Sequence, residues 1–204
     1  MRPSTPARIS ARSSASSIER SRVILAEAVQ LRPAAAEHIP AVHAIYAHHV
    51  LRGLASFEEE PPSLEEMRRR YEDITRRGLP YLIADFAGVV AGYGYCAPYR
   101  SRSAYRYALE DSIYVRDDMQ GRGVGGAILG QLIRRCEELG YRQLIAVIGD
   151  SGHAASIGLH ASHGFLRVGT LRSVGFKFGR WVDSVIMQRP LGPGDATAPA
   201  PLSP

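Results

Sequence analysis

The hexapeptide Gln120-Gly-Arg-Gly-Val-Gly125 follows an apolar run that ends at Val115 and opens a stretch with helical periodicity. A glycine-rich turn between a strand and a helix suits an anion. Glycine lets the backbone fold tightly against a ligand, and the N–H groups of Arg122 to Gly126 would point at a phosphate or pyrophosphate where the helix dipole favours negative charge. Arg122 would add a charged contact. The loop lacks the Lys-Ser/Thr of a Walker loop and the Gly-x-Gly-x-x-Gly spacing of the dinucleotide fingerprint, and taken alone it is equally compatible with a plain turn. Two titratable residues flank it in sequence, Glu110 before the loop and His160 after it. Both suit general-base work, His160 because an unperturbed imidazole titrates at about 6.5. Glu110 could equally be a strand-end carboxylate in an ion pair, and His160 a core-edge histidine with satisfied nitrogens. Tyr99, Arg100, Arg102, Tyr105, Arg106 and Tyr107 form a cationic, aromatic stretch. It reads as a nucleic-acid surface, as a solvated loop balancing Glu58, Glu59 and Glu60, or as a site in which Arg102 clamps a carboxylate bidentately beside a Tyr105 wall.

The elements that must position these residues alternate between strand and helix. Val23–Leu31 is apolar and bounded by Pro33; Ala34–Val50 carries Ile39, Val42, His43, Tyr46 and Val50 at helical spacing. Ser63 with Glu66 forms a capping box for a helix to about Arg77, after an aperiodic loop over 56–63. Tyr81–Phe86 and Val89–Cys96 flank Ala87-Gly88 as a hairpin, and Asp111–Val115 reads as the next strand. Gly125–Leu139 and Ala154–His163 read as helices stopped by Gly140 and Gly164; Gln143–Ile148, Phe165–Val174 and Val182–Gln188 read as strands. The order predicts an α/β (α+β) architecture, with a central mixed β-sheet flanked by helices on both faces.

Composition bounds the rest. A chain of 204 residues, 45% hydrophobic and 22% charged, fits one folded domain with tails. Residues 1–22 contribute +4 of the net charge of +5, so the basic balance gives the folded part no nucleic-acid partner. That segment, rich in Arg and Ser, reads as a disordered extension or an organellar transit peptide, and has no apolar stretch for export. The predicted organisation is a tail over 1–22, a folded domain over 23–190 and a Pro/Ala-rich tail over 191–204 that buries nothing. Only Cys96 and Cys136 occur, without metal-ligand clustering, so a reducing compartment, the cytoplasm, and no metal site are expected. No apolar run is long enough to span a membrane.

Gln-x-x-Gly-x-Gly at the start of a central helix resembles the acetyl-CoA pyrophosphate loop of the Gcn5-related N-acetyltransferase (GNAT) superfamily, and the resemblance runs from about Val23 to Arg189. Within it, Ser56-Phe-Glu-Glu-Glu-Pro61, Leu109-Glu-Asp-Ser-Ile-Tyr-Val115, Ala146-Val-Ile-Gly-Asp150, His160 and Val174-Gly-Phe-Lys-Phe-Gly-Arg-Trp181 are similar to the phosphinothricin and methionine sulfoximine acetyltransferases. The resemblance implies an enzyme that moves an acetyl group from acetyl-CoA, without a metal, to the α-amine of a small amino acid analogue. An acceptor that is a protein N-terminus or polyamine, or a non-catalytic CoA- or nucleic-acid-binding module, are the competing readings. It implies Glu110 and His160 as proton-handling residues and Phe57, Arg100, Arg102 and Tyr105 as substrate contacts. The donor would lie on Ile113, Tyr114, Val115, Gln120, Gly121, Arg122, Gly123, Val124, Gly125, Gly126, His153 and Ser156, with backbone N–H near Ile113 to Val115 polarising the thioester carbonyl. His153 stands where that family usually has Asn, so one donor contact departs from the pattern. A homodimer is expected from the resemblance alone.

Overall fold

The computed structural model describes residues 29–202. The predicted tail over 1–22 and the first part of the predicted strand, 23–28, lie outside the described residues. Seven strands form one sheet: β1 (Val29–Pro33), β2 (Tyr81–Phe86), β3 (Val89–Pro98), β4 (Ala108–Val115), β5 (Gln143–Gly149), β6 (Leu166–Lys177) and β7 (Arg180–Pro190). Their spatial order is β1-β2-β3-β4-β5-β7-β6. All pairs are antiparallel except β4–β5. The helices are α1 (Ile39–Arg52), α2 (Leu64–Arg76), α3 (Val124–Glu138) and α4 (Ala154–Ser162).

Local chemistry accounts for most boundaries. Ala87 (φ 52°) with Gly88 (φ 82°) and Phe178 (φ 52°) with Gly179 (φ 71°) put two consecutive left-handed residues into each two-residue hairpin turn, the twist that antiparallel strands require. The second turn lets β6 and β7 run on past the predicted Val174 and Val182. Ser63 caps α2 by accepting from the Glu66 N–H at 3.1 Å. The box is only half formed, because the Glu66 carboxylate pairs with Arg69 and Arg70 instead. α1 starts at Ile39, five residues later than predicted, with a short turn over Ala36–His38 before it.

The strand face alternation splits the core in two. On one face α1 and α2 cover a run of tyrosines in which Tyr81, Tyr95, Tyr93 and Tyr114 stack at centroid spacings of 5.0–6.4 Å. On the other, α3 lies across β1–β4 with Ile128, Leu129 and Leu132 wholly buried. Gly94 decides how close α3 can come, since a Cβ there would sit 2.5 Å from Ile128 Cγ2. Helices cover both faces, as the element order requires.

The segment after β7 departs from the tail reading. Leu191 is completely buried, and Arg142 donates to the carbonyls of Gly194 and Ala198 and to Thr197 Oγ1 at 3.0–3.2 Å. One apolar side chain and one arginine dock a stretch whose composition argued for no burial. Among the described residues no helix is long and apolar enough to cross a membrane.

Candidate active site

The single parallel pair creates the site. β4 and β5 are hydrogen-bonded only from Ala108↔Gln143 to Asp111↔Ala146. Beyond that point β4 continues against β3 as far as Val115↔Gly92, and β5 continues against β7 as far as Gly149↔Ser184. The two strands therefore diverge, leaving a V whose facing backbone groups have no ladder partner. A cavity of about 700 Å³ fills this opening, lined by Ser112–Val115, Ala146–Gly149, Gln120, Gly121, Gly123–Gly126, His153, Ser156 and His160, among others.

The start of α3 closes one side of the cavity. Gly121 (φ 71°) and Gly123 (φ 85°) are left-handed, with Gly123 at the N-cap, and Ala127 N–H to Gly123 O is the helix's first bond. The N–H groups of Val124, Gly125 and Gly126 thus have no intrahelical acceptor. Side chains do not cover them: Val124 turns into the core, and Gly125 sits so close to α4 that a Cβ would lie 3.3 Å from Leu159 Cδ2. The result is an anion cradle open to the cleft. Arg122 is exposed and does not line the cavity. His153 caps α4 with its ring, Nδ1 accepting from Ser156 N–H at 3.1 Å. It performs the helix-capping work that Asn would, with one ring nitrogen already committed.

Glu110 and His160 are not brought together. Residues 110 and 111 alternate across the sheet. Asp111 points to the α3/α4 face, where its Oδ2 lies 3.0 Å from His160 Nε2, and both side chains are almost wholly buried. Glu110 shares the opposite face with Tyr95, one residue short of the vertex of the V, and does not line the cavity. A shared proton path between Glu110 and His160, directly or through one water, is therefore set aside: a β-strand separates them. Burial pushes the Glu110 carboxyl above its ordinary value, the Asp111 charge adds to the shift, and Arg100 partly offsets it. Burial pulls the His160 ring down, but the hydrogen bond and charge of Asp111 outweigh it, so His160 is raised.

The four predicted substrate residues lie outside the cavity, and of them Arg100 is near enough to act on the Glu110 charge. Phe57 is 41% exposed, its ring resting where Cβ atoms on Gly175 or Gly149 would collide with it. Arg100 stacks its guanidinium 4.5 Å above the Tyr99 ring, and Tyr105 meets the same ring edge-on at 5.8 Å. Arg102 is exposed at the start of a one-turn helix over Ser103–Tyr105. The suggestion that these arginines balance Glu58–Glu60 does not hold for Glu58, which pairs with Arg70 at 2.8 Å.

Three residues at the site had no role in the sequence reading. His49 lines the cavity and donates from Nε2 to Val115 O at 2.9 Å, fixing the end of β4; burial lowers its pKa. Asp111 sits at the vertex. Lys177 is 2% exposed and donates to Gly53 O at 3.0 Å and Ser56 O at 2.8 Å, latching the loop that carries Phe57. The alternation that put Glu110 on one face implied Asp111 on the other. Nothing local marked His49 or Lys177, whose partners are 66 and 124 positions away. Among the described residues no group of three or more His, Cys, Asp or Glu is placed to hold a metal ion.

A sheet splayed at its one parallel pair, with an uncovered helix N-terminus at the opening, defines an acyl-transfer cleft of the GNAT type. The profile of the Acetyltransferase (GNAT) family matches residues 43–165, and the chain belongs to that family. It is 57% identical over 163 residues to a phosphinothricin N-acetyltransferase of Alcaligenes faecalis, covering 80% of this chain and 83% of that one. An L-methionine sulfoximine/L-methionine sulfone acetyltransferase of Pseudomonas aeruginosa is 40% identical over 164 residues, 80% of this chain and 95% of that one. The crystal structure of a phosphinothricin acetyltransferase from Sinorhizobium meliloti in complex with acetyl-CoA superposes with a TM-score of 0.82 at 46% identity. That match covers 85% of this chain and 94% of the other.

Proposed function

We propose that this protein transfers the acetyl group of acetyl-CoA to the α-amine of a small amino acid analogue of the phosphinothricin or methionine sulfoximine kind. The observation that carries the reading is the divergence of β4 and β5 at Asp111↔Ala146 beside the uncovered N-terminus of α3. Together they offer unpaired strand edges for an amide-bearing arm and free N–H donors for a pyrophosphate, which fits acetyl-CoA. The backbone N–H groups of Ile113 and Val115, on the edge of β4 turned away from β3, polarise the thioester carbonyl, as an oxyanion site does. Glu110 takes the proton of the attacking amine. Its raised pKa, closer to neutrality than an ordinary carboxylate, improves its match to that task. Arg102 and Arg100 hold the acceptor's carboxylate, with Tyr105 and Phe57 as apolar walls.

The same reading includes a cytoplasmic homodimer. Leu166, Val168, Leu171, Val174, Phe176 and Trp181, all more than half exposed, crowd the β6–β7 edge of the sheet, a patch of the kind that a second copy would cover. The cytoplasmic part of the reading rests on the scarcity of cysteine, Cys96 and Cys136 being the two in 204 residues. One assay tests the function: thiol release from acetyl-CoA across phosphinothricin, methionine sulfoximine, methionine sulfone, ordinary amino acids, a polyamine and a peptide N-terminus. Preference for the first three supports the reading, and preference for the polyamine or peptide overturns it. Light scattering of the full chain at micromolar concentration decides the dimer, a monomeric mass refuting it.

A further inference from the structure

The open edge of β4 offers few places to pair. Arg116 N–H donates to Ala91 O of β3, so by strand alternation Ser112 and Tyr114 also turn their backbone groups to β3, and Ile113 and Val115 turn theirs to the cleft. The ladder with β5 has already ended at Asp111↔Ala146. Beyond it the edge carries the N–H donors of Ile113 and Val115 and the two matching carbonyl acceptors. One acceptor is taken, because His49 donates from Nε2 to Val115 O at 2.9 Å. Among the described residues that leaves Ile113 O as the edge acceptor beyond the ladder.

The fold places the His49 ring with some care. His49 follows Tyr46 by three positions on α1, which puts both on one helix face, and their rings pack on Tyr114 at 5.4 and 5.0 Å between centroids. The His49 ring also lines the cavity. An edge carbonyl that faces an open cleft is satisfied by water as well as by a side chain. Hydrogen-bond accounting alone therefore does not call for a histidine reaching across from another element.

We propose that His49 is a positioning residue for acetyl transfer: by occupying Val115 O it leaves Ile113 O as the β4 acceptor for an amide N–H of the acetyl-CoA arm, and so sets how far the thioester reaches toward the vertex of the cleft. This rests on the acetyltransferase reading and adds the register of the donor to it. The pyrophosphate end is anchored at the N-terminus of α3, and the arm that leads away from it is flexible. An arm amide caught on Val115 O instead would sit two strand residues, about 7 Å, further from the vertex. The arm would then lie slack, with the pyrophosphate still in its cradle and the thioester out of reach of an amine at Glu110. Such a complex is bound but idle, and His49 removes it from the competition.

The test compares His49→Ala, which uncovers Val115 O, with His49→Gln, whose side-chain amide N–H can stand in for Nε2–H. Idle binding lowers kcat and the KM of acetyl-CoA by the same factor, because it ties up enzyme at high donor concentration without hindering the productive encounter at low. At saturating amine, both constants should fall roughly five-fold in His49→Ala, the weight of one ordinary hydrogen bond. Their ratio should stay near the wild-type value, and His49→Gln should restore both. A merely structural role would lower kcat with KM unchanged or raised. That pattern, a wild-type kcat in His49→Ala, or no restoration by Gln overturns the proposal. Should His49→Ala not fold, the wild-type chain decides by NMR. The His49 Nε2–H signal, protected by Val115 O, should persist when acetyl-CoA binds, and its loss to exchange on binding overturns the proposal. That measurement needs no turnover. Failure of the acetyl-transfer reading would show separately, as no binding of acetyl-CoA in calorimetry and no thiol release with any amine of the panel.

Discussion

Replacing Glu110 by Gln removes a charge from a half-buried strand position without changing its volume, and it should move activity and stability in opposite directions. Burial and the neighbouring Asp111 raise the carboxyl's pKa in the folded chain. A raised folded-state pKa means that the native state binds protons more tightly than the unfolded state. Stability is therefore lost as pH rises from the ordinary carboxylate value through the folded one, and stays lower above it. Glu110→Gln escapes that loss, so its Tm at pH 8 should equal or exceed that of wild type. Activity should fall, because removal of a general base costs ~10²–10⁴-fold in rate, or about 3–5 kcal/mol of transition-state stabilisation. The assay is thiol release at saturating acetyl-CoA between pH 6 and 10. Wild-type kcat/KM should rise with pH as Glu110 ionises, whereas the variant's deficit should shrink at high pH, where more of the amine arrives deprotonated. A variant with wild-type kcat/KM at every pH would refute the assignment, and Glu110 would then be a strand-end carboxylate and nothing more.

Three further outcomes follow from the packing. Gly94→Ala drives a Cβ to 2.5 Å from Ile128 Cγ2, and overpacking of this kind costs about 1–3 kcal/mol, seen as a Tm lower by several degrees. Gly123→Val places a β-branched residue at φ 85°; strain of ~1–3 kcal/mol should weaken acetyl-CoA binding about ten-fold or more in calorimetry, with the acceptor's KM little changed. Lys177→Met leaves the Gly53 and Ser56 carbonyls without their buried donor, at a cost of roughly 1–3 kcal/mol; it should raise the KM of the amine by loosening the Phe57 loop while the Kd of acetyl-CoA holds, and equal effects on both would remove the latch.

How much of this was legible follows from the distance over which each feature is decided. The glycine loop, the Ala87-Gly88 hairpin turn, the Ser63 cap and the order of strands and helices are local: each depends on residues within a few positions, whose φ preferences and hydrogen-bonding groups are fixed by their type. These place the anion cradle at Gly121–Gly126 and helices on both faces of the sheet. Alternation along β4 was equally local, and it already implied that Glu110 and Asp111 face opposite ways.

Only the tertiary structure decided where β4 and β5 stop pairing, because no residue of either strand marks the end of a ladder shared by segments 35 positions apart. That divergence makes the cleft, and the cleft decides which neighbours act together. It gave His160 to Asp111 rather than to Glu110, across 49 positions; it set His49 against Val115 across 66; and it buried Lys177 on a loop 121 positions away. Each of these is a polar group taken out of water, affordable only because a partner from another element meets it there. Sequence fixes which groups can hydrogen-bond, but the docking of helices on a twisted sheet chooses the partner, and with it the direction in which the pKa of the buried His160 moves.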